Sequence, residues 1–101
     1  MIIFVDIDGT ICNNTYGKYK KAQPISENIE KINQLYDEGN TIVYWTARGS
    51  RTKIDWHELT TKQLEEWGAK HHNLIIGKPH YDLYIDDKSI NSKVFFKEKG
   101  E

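Results

Sequence analysis

Four short apolar runs, Ile2 to Val5, Thr41 to Trp45, Leu74 to Ile76 and Leu83 to Ile85, constrain this chain more than any other feature. They are β-branched or aromatic and hold almost no polar residue, the pattern of strands covered on both faces. Between the first two lies "SENIEKINQLYDEG", where Ile29, Ile32, Leu35 and Tyr36 form one apolar stripe, Ser26 can cap the start and Gly39 can end it. Between the second and third lies "DWHELTTKQLEEWG", where Asp55 and Glu58 suit a capping pair and Trp56, Leu59, Leu64 and Trp67 share a face.

Strand, helix, strand, helix, strand and strand is the order of an α/β fold. The expected architecture is a three-layer, doubly wound, Rossmann-like and mainly parallel sheet. The link from Gly77 to Asp82 is too short for a packed helix, so the fourth strand is expected to follow through a tight loop. Val94, Phe95 and Phe96 suit a short edge strand, and "KEKGE" reads as a frayed tail.

With 101 residues the chain has room for one domain, residues 1–101, and one core. A formal net charge of -1 provides no bulk field toward nucleic acid or membrane, and no apolar run approaches the roughly 20 residues that span a bilayer. Cys12 is the single cysteine, so no intrachain disulfide forms, and the N-terminal apolar run lacks a basic leader. A reducing cytoplasm is the expected location.

Ligands of open parallel sheets bind beyond the carboxyl ends of the strands. The residues there are Asp6 and Asp8, then Thr46, Ala47, Arg48 and Gly49, then Gly77 and Lys78, then Asp86 and Asp87. Residues two apart on a strand point the same way, so Asp6 and Asp8 are aimed into one site. Four carboxylates about 4 Å apart repel by roughly 4 kcal/mol per pair at an effective dielectric near 20, so the cluster calls for positive charge. A hard cation such as Mg²⁺ suits all-oxygen ligands and accepts a phosphate oxygen, and Lys78 adds a second cation. The hydroxyl of Thr46 and the backbone N–H groups after it suit a small anion.

"DIDGT", "WTARG", "GKPHYD" and "YIDD", in that order at those strand ends, resemble the four motifs of the haloacid dehalogenase-like superfamily of phosphohydrolases. The resemblance runs from Met1 to about Asn91. It implies that Asp6 is a nucleophile forming an aspartyl-phosphate and that Asp8 is the general acid and base. It further implies that Asp6, Asp8 and Asp86, with Asp87 through water, hold Mg²⁺, and that Thr46, Ala47 and Lys78 bind the phosphoryl group. Gly9 would permit the turn leaving the strand, and Thr10 would brace it through its hydroxyl.

Cap domains of that superfamily follow the first or the third strand. Here "ICNNTYGKYKKAQP", residues 11–24, allows only a short flap, which resembles the capless members. An open site suits a large substrate or closure by a neighbouring subunit of a homo-oligomer. Arg48, Arg51 and His80 are candidate substrate contacts, with Lys18, Lys20 and Lys21 on the flap. Solvated surface charge explains those lysines and arginines equally well. Tyr16 and Tyr19 stand apart from the other aromatics by lying in the polar flap, whereas His71 and His72 read as solvated loop residues.

The resemblance to capless members linked with capsule and surface-polysaccharide biosynthesis makes a small phosphate ester, a sugar phosphate first, the expected substrate. A nucleic-acid end phosphatase also suits an open site, though the near-neutral charge lacks a bulk basic footprint. A phosphotransferase and a non-catalytic phosphate-binding module are the remaining readings.

Overall fold

The computed structural model describes residues 1–97. Three strands, β1 (Ile2–Val5), β2 (Thr41–Thr46) and β3 (Asn73–Ile76), alternate with helices α1 (Ser26–Asp37) and α2 (His57–Glu66), and a short helix α3 (Ser92–Phe96) follows. The sheet is parallel in the order β1-β2-β3. The molecule is thus a small Rossmann-like α/β fold, and among the described residues no helix is long and apolar enough to cross a membrane.

Register decides which residues form the core. Ile3 pairs with Ile42, Val5 with Tyr44, and Tyr44 in turn with Leu74, so these side chains share one face. Ile29 and Ile32 of α1 and Leu64 of α2 pack into the same cluster, which places both helices on that face. Two crossovers of one hand running in one direction produce this arrangement. The opposite face is largely open: Ile2 is 72% exposed and Phe4 53%, although Val43 on the same face is buried. The described residues therefore form two layers instead of the expected three.

The missing layer and the expected fourth strand have one cause. Leu83, Tyr84 and Ile85 form no strand and are exposed. A parallel strand needs a crossover of about a dozen residues or more to return to the starting edge of the sheet, and Gly77 to Asp82 is half of that. The Val94 to Phe96 segment is helical instead of extended. Asn91 starts it, its side chain accepting from Lys93 N–H at 2.9 Å, and Phe95 and Phe96 turn onto the core. Most of "KEKGE" lies outside the described residues.

The helix starts also differ in detail. Ile25, not Ser26, is the N-cap of α1, and its carbonyl accepts from Asn28 and Ile29. Trp56, not Asp55, is the N-cap of α2, and Asp55 stands one residue ahead of it with Oδ1 accepting from His57 N–H at 2.9 Å. The α2 face carries two polar residues that the apolar stripe concealed, Thr60 and Gln63, both buried. His71 is half-buried, and His72 is exposed as expected but not without partners: its ring stacks on Tyr36, and its Nδ1 accepts from Ile42 N–H. His71 lies edge-on to Tyr44.

Candidate active site

β1 delivers the first two carboxylates. Ile7 between them is fully buried, so strand alternation turns Asp6 and Asp8 outward together. Gly9 then takes φ +82°, a left-handed value that glycine tolerates best, and its N–H bonds the Cys12 carbonyl. Thr10 braces the turn through its main-chain carbonyl and not the expected hydroxyl: the carbonyl accepts from the Asn28 amide at 2.9 Å.

β2 and β3 supply the cations. Thr46 is 1% exposed, and its carbonyl accepts from both Gly77 N–H and Lys78 N–H, which ties the β3 loop to the β2 end. Its hydroxyl oxygen accepts from Arg48 N–H at 3.2 Å. Thr46 therefore lies beneath the cleft, while Ala47 lines it. Lys78 Nζ stands 4.0 Å from Asp6 Oδ1, between the rings of Trp45 and Tyr81 at 5.3 Å from each centroid.

Arg48 corrects the expectation of an open substrate contact, because its side chain is fully buried. Nε donates to Asp8 Oδ2 at 3.0 Å and Nη2 to Asp8 Oδ1 at 2.9 Å. Nη1 donates to Thr60 Oγ1 at 3.0 Å and to Gln63 Oε1 at 2.7 Å, and the guanidinium carbon lies 4.7 Å from the Tyr19 ring centroid. Gln63 completes the network by donating from Nε2 to the Tyr19 carbonyl of the flap at 2.7 Å. Thr60 and Gln63 escaped the sequence reading. Their signal was two polar residues in line with Trp56, Leu64 and Trp67 on a core-facing stripe, where a buried cation needs acceptors.

Burial pushes the Asp6 carboxyl above its usual range, and Lys78 opposes that shift. Asp6 is nonetheless a carboxylate 40% open to the cleft, with one ammonium at the edge of ion-pair distance. Burial likewise pushes the Cys12 thiol up to about 12, with the Asp8 charge adding to the effect.

Asp6, Asp8, Ala47, Arg48, Arg51, Lys78 and His80 all line one open cleft of about 940 Å³. Asp86 and Asp87 do not. They sit in an exposed turn in which Asp86 Oδ2 accepts from Lys88 N–H, because the segment before them never joins the sheet. Among the described residues no group of three or more His, Cys, Asp or Glu gathers to hold a metal. The expected four-carboxylate cluster is therefore reduced to two. An accessible Asp6 carboxylate with a main-chain carbonyl two residues on still fits Mg²⁺, which needs only one or two protein carboxylates and keeps several waters.

No protein-family model matches the chain. No curated protein matches it either. Two solved structures are similar. A structural-genomics target from Vibrio cholerae superposes with a TM-score of 0.85 at 26% identity, covering 98% of this chain and 90% of that one. A chain of the Pnkp1/Rnl/Hen1 complex superposes with a TM-score of 0.59 at 17% identity, covering 97% of this chain and 34% of that one, a likeness of fold.

Proposed function

We propose that the chain is a Mg²⁺-dependent phosphomonoester hydrolase of the haloacid dehalogenase-like kind. The observation that carries this reading is the pairing of two strand-end carboxylates in different states. Asp6 keeps 40% of its side chain open and faces Lys78, whereas Asp8, 19% open, is fixed by Arg48.

In the proposed first step an Asp6 oxygen attacks phosphorus, the bond from phosphorus to the ester oxygen breaks, and Asp8 gives that oxygen a proton. In the second step water attacks the phosphorus of the aspartyl-phosphate, returns a proton to Asp8 and frees Asp6. Asp8 Oδ1 accepts from Arg48 Nη2 and the Cys12 thiol, whereas Oδ2 accepts one N–H from Arg48 and keeps a lone pair for that proton. Lys78 and the backbone N–H groups beyond Thr46 suit the charge on the transferring oxygens. The Asp6 carboxylate and the Asp8 carbonyl would hold Mg²⁺, which supplies charge neutralisation at the phosphate.

A sugar phosphate is the ester class that the superfamily resemblance suggests. The test is phosphate release from an aryl phosphate and a panel of sugar phosphates, with and without Mg²⁺. Asp6→Asn should abolish the metal-dependent rate. Equal, metal-independent rates for the two proteins would sink the reading.

A further inference from the structure

The cleft is larger than a reacting phosphate needs. Its volume of about 940 Å³ stands at the upper end of ordinary ligand pockets, roughly 300–1,000 Å³. Beyond the strand ends its walls are the flap, which contributes Asn14, Tyr16 and Tyr19, and the loop after β2, which contributes Arg51, Thr52 and Trp56. The loop after β3 adds His80 and Tyr81.

Two of these walls are free of carboxylates. Neither residues 11–24 nor residues 47–54 contain an Asp or Glu, yet they carry Lys18, Lys20, Lys21, Arg48, Arg51 and Lys53. Arg48 is spent on Asp8. Arg51 lines the cleft, the four lysines stand on the same two segments, all five are exposed apart from the core, and none forms an ion pair among the described residues. In a chain whose net charge is -1 these two segments carry a local positive field, of which Arg51 reaches the cleft. A substrate with a single phosphate, already met by Lys78, leaves it unanswered.

The same walls present rings. Tyr16 is 88% exposed and Tyr81 43%, so neither is committed to the core. Tyr16 also holds a left-handed φ of 55°, its N–H tied to Asn14 Oδ1 at 3.0 Å, and Lys53 on the facing segment has φ 63°. Among the described residues these are the two non-glycine positions of positive φ, and strain of about 1 kcal/mol or more each collects at binding loops. Exposed rings beside unpaired cations form a stacking platform with an anion subsite.

We infer that the leaving group is a nucleoside bearing a second phosphate, its base against the exposed tyrosine rings and its second phosphate at Arg51. This deepens the hydrolase reading and rests on it for which phosphate reacts. The ligand chemistry has two sources, a nucleoside bisphosphate or the phosphorylated end of a single-stranded oligonucleotide.

The experiment compares kcat/KM for a nucleoside bisphosphate, an oligonucleotide ending in a phosphate monoester, a nucleoside monophosphate, a hexose phosphate and a hexose bisphosphate. One of the first two should exceed the other three by about tenfold or more, the worth of one charge-assisted contact, and the preference should shrink as salt rises. The better of the two identifies the source. Arg51→Ala should collapse the ratio of bisphosphate to monophosphate nucleoside, chiefly through KM, and Arg51→Lys should recover part of it. Equal rates for the hexose and nucleoside bisphosphates, or a ratio indifferent to Arg51, would overturn the inference and leave the hydrolase reading standing. Calorimetry on Asp6→Asn separates the two the other way. No turnover of any ester by the unmutated protein, together with Arg51-dependent binding of the nucleoside bisphosphate over the monophosphate by Asp6→Asn, would fail the hydrolase reading and support the subsite.

Discussion

Arg48 and Asp8 form a bidentate pair at 3.0 and 2.9 Å in which the guanidinium is fully buried while the carboxylate keeps 19% of its surface open to the cleft. Such a pair fixes orientation more than it adds stability, because desolvation of both ions offsets most of their attraction. Removing one partner is different, since it strands the other charge. Arg48→Ala should therefore lower the unfolding free energy by about 3–5 kcal/mol. Arg48→Lys should lose less, yet it cannot make the two parallel bonds that aim Asp8. Urea unfolding checks the first outcome, and phosphate release by Arg48→Lys, expected to fall with the fold intact, checks the second.

Gln63 joins that pair to the flap, accepting from Arg48 through Oε1 and donating to the Tyr19 carbonyl through Nε2. The Tyr19 carbonyl also receives Ala22 N–H, so it closes the turn Tyr19–Lys21. Gln63→Leu keeps the volume and loses both bonds; a cost of about 1–3 kcal/mol is expected for the unmet groups. Gln63→Glu keeps the acceptor toward Arg48 and loses the donor toward Tyr19. Hydrogen exchange at Lys21 and Ala22 should quicken in both variants, whereas the larger loss of global stability should appear in the Leu variant alone. Unchanged exchange in both would mean that Gln63 does not hold the flap.

That network also marks where sequence reading stops. β1, β2 and β3 are legible to within one residue, because buried parallel strands are continuous apolar runs. The convergence of Asp6, Asp8, Ala47, Lys78 and His80 follows from strand ends alone. Arg48 looked like a surface cation, since nothing local reveals that Thr60 and Gln63 wait for it on a helix 12 and 15 residues away. Leu83 to Ile85 has strand chemistry, but strand chemistry does not provide a crossover, and Asp86 and Asp87 stay outside the cleft with it.

Cys12 is fully buried, with Sγ 3.5 Å from Asp8 Oδ1 and its thiol pushed up from 9.0 to about 12. Reactivity needs both thiolate and access, and the fold denies both. A thiol reagent at about pH 8 should leave the native protein unlabelled and label it completely in denaturant. The linkage has a definite sign. The folded value lies above the unfolded one, so the thiol contributes fully below pH 9.0, and that contribution is lost as pH rises toward 12. Cys12→Ala should flatten that part of the stability profile.

Tyr44 sits at the centre of β2 with no exposure, and its hydroxyl finds no hydrogen-bond partner among the described residues. Two effects oppose each other in Tyr44→Phe. Losing the oxygen forfeits a few contacts worth roughly 0.1–0.2 kcal/mol each. Removing an unmet buried hydroxyl recovers about 1–3 kcal/mol of desolvation. The second is larger, while the ring keeps its edge-on contact with His71. Tyr44→Phe should therefore raise the urea midpoint by the equivalent of about 1 kcal/mol with an unchanged slope. A lower midpoint would show that the hydroxyl has a partner in solution, a trapped water being the simplest.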